Sequence, residues 1–189
     1  VCCRMTPPTP GQLVCVLGPS GAGKDAVMRG VAAAMPQVHL ARRLITRPPH
    51  KDSEDYDSVT DTDFAALQQA GHFLFHWQAH GLFYGVPASV LPRVWSGATV
   101  LFNGSRAALP AMRQIYPDLR VFVIAVSPDL LAERLHKRGR ETASEIVKRL
   151  QRQVDFTDET AEIINNDGAL ATSVGIFVNS LQRPAEGGE

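Results

Sequence analysis

Gly18-Pro19-Ser20-Gly21-Ala22-Gly23-Lys24 carries the clearest chemistry in this 189-residue chain. The spacing G-x-x-x-x-G-K lets backbone N–H groups converge on phosphate oxygens while the lysine reaches the terminal phosphates of a nucleoside triphosphate. The apolar run Gln12-Leu13-Val14-Cys15-Val16-Leu17 precedes it, and a helical pattern begins at Lys24. The loop therefore lies where a strand hands over to a helix N-terminus, whose partial positive charge favours anions. A glycine-rich turn with no ligand requires neither the lysine nor both flanking elements. Asp25 follows, where the motif places a Ser or Thr that holds Mg²⁺. A carboxylate also takes a hard cation, so Asp25 is a candidate metal ligand. Its other reading is an acid favoured by the helix dipole.

Other elements must hold an acceptor opposite that loop. Apolar runs at 12–17, 38–45, 99–102, 119–126 and 162–164 predict strands. Helical patterns fall at 24–35, about 107–115, 143–156 and 169–181, with one from Pro128 to about Arg138. A further helix, to about Gln69, is capped by Thr60-Asp61. Strands alternating with helices predict an α/β fold, a parallel sheet covered on both faces. Residues 46–61 are polar and proline-bearing and predict a loop, while the aromatic stretch 73–86 predicts short strands turning at His80-Gly81. The expected organisation is a disordered leader (1–10), one domain (11–182) and a frayed tail (183–189).

Composition excludes several functions. Lys+Arg 19 balances Asp+Glu 19, which argues against a nucleic-acid coat or a membrane-surface helix. No apolar run reaches the about 18 residues of a spanning helix, and the first ten residues lack an apolar signal core. Three cysteines without a spacing pattern form neither a disulfide framework nor a zinc site, so the cytoplasm is the default compartment. Only four of the basic residues are lysines (Lys24, Lys51, Lys137, Lys148). The rest are arginines, suited to bidentate grip on phosphate, a bias that a GC-rich genome would also give. A homodimer is among the assemblies these features allow.

Further motifs carry a resemblance. Leu44-Ile45-Thr46-Arg47-Pro48-Pro49, Glu54-Asp55-Tyr56, Gly71-His72-Phe73-Leu74, Phe83-Tyr84-Gly85-Val86, Arg134-Leu135-His136-Lys137-Arg138-Gly139-Arg140-Glu141 and Asn165-Asn166-Asp167 follow the phosphate loop in order. From about residue 11 to 181 the chain resembles guanylate-kinase-type phosphotransferases. The resemblance implies a phosphate-loop kinase fold with a small acceptor-binding lobe (about 46–92) and a lid (about 137–144). It implies that Arg47 grips the acceptor phosphate, with Tyr56 and Tyr84 beside it, and that Arg134, Arg138 and Arg140 close over the transferring group. Gly18 through Asp25 would bind ATP, with Mg²⁺.

The departures are as informative. The guanine-binding positions of that family hold Phe75, Val86 and Arg43 here, two apolar side chains and a cation. Losing such hydrogen-bonding partners costs on the order of 10⁴–10⁵ in discrimination, so guanine is not the expected acceptor. The Asp25 variant of the loop, His80-Gly81-Leu82-Phe83-Tyr84-Gly85-Val86, Asn103-Gly104-Ser105-Arg106 and Gly139-Arg140-Glu141-Thr142-Ala143-Ser144-Glu145-Ile146 resemble the narrower family of ribose 1,5-bisphosphate phosphokinases. That family implies ATP-dependent formation of 5-phosphoribosyl 1-diphosphate in phosphonate breakdown. A small sugar phosphate with phosphates at both ends needs cations in two places, which nominates Arg42, Arg43, Arg47 and Arg106. Asn103 stands at a strand end where phosphate-loop enzymes often carry a metal-organising Asp, and it joins the substrate-side candidates. Two rivals remain: a nucleoside monophosphate kinase of altered base choice, and a non-catalytic binding module. Intact Gly18, Gly23 and Lys24 argue against the second.

Overall fold

All five residues of β1 (Leu13–Leu17) are buried, and their alternation sends side chains into two different cores. Val14 and Val16 join Val27, Val31, Phe122, Ile124 and Phe177 on one face. Leu13, Cys15 and Leu17 join Phe75, Val86, Val94 and Phe102 on the other. A strand buried on both faces reads as continuous apolar sequence, which is why this one is legible. The computed structural model describes residues 11–48, 55–138, 158 and 160–183.

The main sheet has the order β2-β7-β1-β8-β9, built from Val38–Leu40, Thr99–Asn103, Leu13–Leu17, Arg120–Ala125 and Glu162–Asn165. Every pairing in it is parallel. The helices α1 (Lys24–Ala34), α5 (Pro128–Arg138) and α6 (Leu170–Gln182) contribute to the first core. The short helices α3 (Leu91–Trp95) and α4 (Leu109–Ile115) contribute to the second. A second sheet, β4-β3-β6-β5, is formed by Tyr56–Ser58, Arg43–Ile45, Leu82–Pro87 and Phe73–Ala79. Its Phe75 ring lies 5.5 Å from the Phe102 ring of the main sheet, so this lobe is seated directly on the strand that ends at Asn103.

Three expectations change. The single strand expected over 38–45 is two strands in two sheets. Ala41 still donates to the Leu101 carbonyl (2.8 Å), after which the chain crosses to the second sheet at Arg43. The expected loop 46–61 contains β4, which pairs in parallel with β3. The helix expected from about residue 107 opens as a 3₁₀ turn (Arg106–Ala108) and becomes α-helical only at Leu109, with a proline in its first turn. The α2 helix (Asp61–Gln69) starts as read, with Thr60 Oγ1 accepting from the Asp63 N–H at 3.1 Å. The hairpin turns at His80-Gly81, both with positive φ. The helix expected over 143–156 lies outside the described residues. Among the described residues no helix is long and apolar enough to cross a membrane.

Candidate active site

The phosphate loop runs from the end of β1 to the first turn of α1. Gly18 (φ 144°) and Gly23 (φ 87°) hold backbone that side chains rarely adopt. A Cβ on Gly18 would meet the Ile124 carbonyl at 2.5 Å, and one on Gly23 the Asn166 amide nitrogen at 2.6 Å. Pro19 O accepts from the Ala22 N–H at 3.2 Å, which tightens the turn, and Ala22 itself is fully buried. The Lys24 Nζ donates to the Gly18 and Pro19 carbonyls at 2.9 and 3.0 Å. The ammonium is thereby held over its own loop, where a triphosphate would lie.

A clamp behind the loop fixes that geometry. The Ala22 carbonyl accepts from Asn166 Nδ2 (2.7 Å) and from Arg134 Nη1 (3.4 Å). Arg134 Nη2 donates to the Asn166 carbonyl at 2.9 Å, and the Ser173 hydroxyl donates to Asn166 Oδ1 at 2.9 Å. Both ends of the Asn166 amide are therefore engaged, and the residue is held in place. Gly23→Ala is expected to weaken ADP binding at least about tenfold by calorimetry and to lower stability by about 1–2 kcal/mol. Unchanged ADP affinity would show that the clamp does not set the loop. Sequence reading matched Asn166 to a family segment but gave it no role. Its contacts are to a backbone carbonyl 144 residues away, for which no spacing signal exists.

On the other side of the loop, Asp25 Oδ1 accepts from Asn103 Nδ2 at 2.6 Å. Asn103 is 4% exposed, and its Oδ1 is buried without a hydrogen-bond partner among the described residues. A buried acceptor left without a donor costs about 1–3 kcal/mol. An orphaned oxygen beside a carboxylate, next to a phosphate loop, fits a divalent cation. Mg²⁺ is commonly bound by one or two carboxylates plus substrate phosphates, and Asp25 offers one carboxylate beside the loop. Cys15 is fully buried, and that burial pushes its thiol up to about 12.

The second sheet brings the acceptor candidates together in part. Phe75 is opposite Val86, and the Leu44–Gly85 register puts Arg43 in line with Val86 one step further along. The three departures from guanine binding thus form one cross-strand row. They are 1%, 0% and 6% exposed respectively. The Arg43 guanidinium lies 5.6 and 5.2 Å from the Trp77 and Tyr84 rings, which stack on each other, and donates to the Asn103 carbonyl at 2.9 Å. Arg47 and Tyr56 also meet: the guanidinium sits 4.6 Å from the ring and Nε donates to the phenol oxygen at 3.3 Å. The phenol in turn donates to the Pro48 carbonyl at 2.6 Å.

Arg42 reaches the Tyr56 carbonyl (3.5 Å) but is paired with Asp55 (3.2 Å) and Asp57 (2.8 Å) on an exposed edge. Arg106 is half-buried three residues past Asn103, and burial lowers its pKa. An open groove of about 400 Å³ runs along Thr46, Arg47 and Ser58 to Asp61 and Asp63. Its acidic wall does not suit a bisphosphate. Arg138 ends α5, four residues after Arg134, while Arg140 and the rest of the lid stretch to residue 144 lie outside the described residues.

A strand-loop-helix phosphate cradle facing a small sheet-built lobe defines a class, and comparison with known proteins agrees with it. The family model for guanylate kinase matches residues 10–173, and the chain belongs to that family. The crystal structure of guanylate kinase from Anaplasma phagocytophilum superposes with a TM-score of 0.69 at 18% identity, covering 93% of this chain and 86% of that one, a likeness of fold. Curated relatives are narrower. The chain is 41% identical over 180 residues to the ribose 1,5-bisphosphate phosphokinase PhnN of Brucella melitensis, covering 93% of this chain and 94% of the relative. It is 45% identical over 145 residues to the protein of the same name from Rhizobium etli, covering 75% and 74%. The resemblance read from the motifs is thus borne out at both levels.

Proposed function

We propose that this chain transfers the γ-phosphoryl group of ATP to the C1 phosphate of ribose 1,5-bisphosphate, giving 5-phosphoribosyl 1-diphosphate and ADP. The observation that carries this reading is the buried row Phe75, Val86 and Arg43. Two of its members offer no hydrogen bond, and the third is engaged with Asn103 and two aromatic rings. A lobe so built recognises charge rather than a base edge. The names of the curated relatives support the same substrate.

No general base is required. A phosphate ester's second pKa lies near about 6, so the attacking C1-phosphate oxygen is largely ionised at neutral pH. Its lone pair forms the new O–Pγ bond as the bond from Pγ to the β,γ-bridging oxygen breaks, leaving that electron pair on ADP. Catalysis reduces to in-line positioning and charge neutralisation. Lys24 sits where the β- and γ-phosphates would lie, and the Asn166–Arg134 clamp keeps the loop amides aimed at them. Arg47, steadied by Tyr56, grips one acceptor phosphate; Tyr84 belongs to β6 of the lobe, Arg106 follows β7 and offers a further cation, and Arg42 braces the lobe's edge. Arg134 acts through that clamp, its guanidinium bonding the Ala22 and Asn166 carbonyls, while Arg138 and Arg140 are the cations that the family resemblance assigns to neutralising the transferring phosphoryl group and excluding water from it. Mg²⁺, held by Asp25 and Asn103, would supply further charge neutralisation when bound.

ADP release measured separately with ribose 1,5-bisphosphate, GMP and AMP tests this reading. The bisphosphate is expected to exceed either nucleotide by about 10⁴-fold in kcat/KM. A nucleotide that matches it would overturn the assignment in favour of a nucleoside monophosphate kinase.

A further inference from the structure

Phosphate-loop enzymes of the Walker type hold their metal with a neutral hydroxyl on the loop, directly after the lysine, and a carboxylate at the end of a neighbouring strand. Here both positions are occupied by the other kind of group. The residue after Lys24 is the acid Asp25, and the last residue of β7 is the amide Asn103. Strand pairing puts Asn103 beside Val16 on β1, immediately before the loop. The side chains then meet, Asn103 Nδ2 donating to Asp25 Oδ1 at 2.6 Å. The amide's other end, Oδ1, is buried and has no partner among the described residues. A helix-dipole acid alone accounts for Asp25 but not for the unsatisfied oxygen. An amide placed only to hold Asp25 would not leave a buried acceptor beside the phosphate loop.

We infer that Asp25 and Asn103 are one metal-holding pair in which carboxylate and neutral group have exchanged places. The site keeps one negative charge, moved from the strand to the loop. The amide orients the carboxylate through Nδ2, and its free oxygen is the acceptor available to the cation or to its water. Arg43 supports the pair from the acceptor lobe by donating to the Asn103 carbonyl at 2.9 Å. The metal site and the row that replaces guanine recognition are therefore built from contiguous groups. The inference rests on the proposed use of this loop for a metal-bound nucleotide.

The test reads binding rather than turnover. ADP affinity is measured by calorimetry with EDTA and again with Mn²⁺, and bound Mn²⁺ is counted by electron paramagnetic resonance. In the wild type, Mn²⁺ is expected to tighten ADP at least about tenfold, or about 1.4 kcal/mol. Asp25→Asn keeps an amide–amide hydrogen bond and the shape of the site, so it should fold normally. It should cut the enhancement, read as the ratio of ADP affinity with Mn²⁺ to that with EDTA in the same variant, below about threefold. Asp25→Ser should behave likewise. The double variant D25S/N103D restores the ordinary arrangement and should recover the Mn²⁺ effect to within about threefold of wild type. If the double variant does not fold, Asp25→Asn decides alone. Full enhancement in Asp25→Asn, or a folded double variant no better than Asp25→Ser, overturns the exchange. Wild type that binds ADP equally with and without Mn²⁺ overturns the pair while leaving the phosphate loop standing. Wild type that binds ADP under neither condition overturns the kinase reading, and the pair with it.

Discussion

Lys24→Ala is expected to lower kcat/KM by about 10³-fold while the melting temperature stays within about 3 °C of wild type. The Nζ is held at 2.9 and 3.0 Å from two loop carbonyls, so in the folded protein the charge is already where the terminal phosphates would come. Two unit charges 4 Å apart interact by about 4 kcal/mol at the effective dielectric of a half-open site, equivalent to about 10³ in rate. Removing the lysine costs the fold little. The side chain is only half-buried, and the clamp on Ala22 is made by Asn166 and Arg134 rather than by Lys24. Lys24→Arg should recover little, because a planar guanidinium cannot replace a compact ammonium over so tight a loop. Steady-state kinetics and a thermal melt on the same preparation check both halves. Activity within threefold of wild type would remove the lysine from the mechanism.

Arg47→Ala should reduce kcat/KM for the bisphosphate by about 10²–10³ and leave ADP affinity unchanged. A guanidinium gripping a phosphate makes two charge-assisted hydrogen bonds, each about 1.5–3 kcal/mol, part of which the half-buried setting of Arg47 returns to water. The side chain is prepared for that work. Its Nε bonds the Tyr56 phenol, its face lies over the Tyr56 ring, and the Ser58 hydroxyl fixes its carbonyl at 2.7 Å. The separation of effects is diagnostic, because Arg47 lies two residues past β3, packed on Tyr56, whereas the phosphate loop is held by Asn166 and Arg134. Equal losses in acceptor turnover and in ADP binding would mean that the substitution had disturbed the whole domain.

How far sequence could see depends on the kind of contact. The phosphate loop is legible because its chemistry is local: a strand, fixed glycine positions and a lysine within a dozen residues. The main sheet is legible for a related reason, since strands buried on both faces leave uninterrupted apolar runs such as Val121 to Val126. The 38–45 run misled because apolar content does not say which sheet a residue joins. Arg43 sits in an apolar run as a buried cation, stabilised by two rings and a carbonyl from distant segments. β4 was hidden because Tyr56–Ser58 is largely exposed, with an acidic residue at its centre. Asn166 and the Asp25–Asn103 contact are long-range side-chain bonds, invisible to periodicity. The three substituted guanine positions were found by resemblance, but that they form one buried row is a fact of strand register.

The proposed reaction requires a lobe that recognises phosphates and does not read a base. Internal competition tests this most directly: equimolar GMP and ribose 1,5-bisphosphate share limiting ATP, and phosphorus NMR reads the partition of product. The expected result is a new diphosphate on the sugar, an unchanged 5-phosphate signal and no detectable GDP. GDP as the main product, with the sugar bisphosphate left unconsumed, would contradict it.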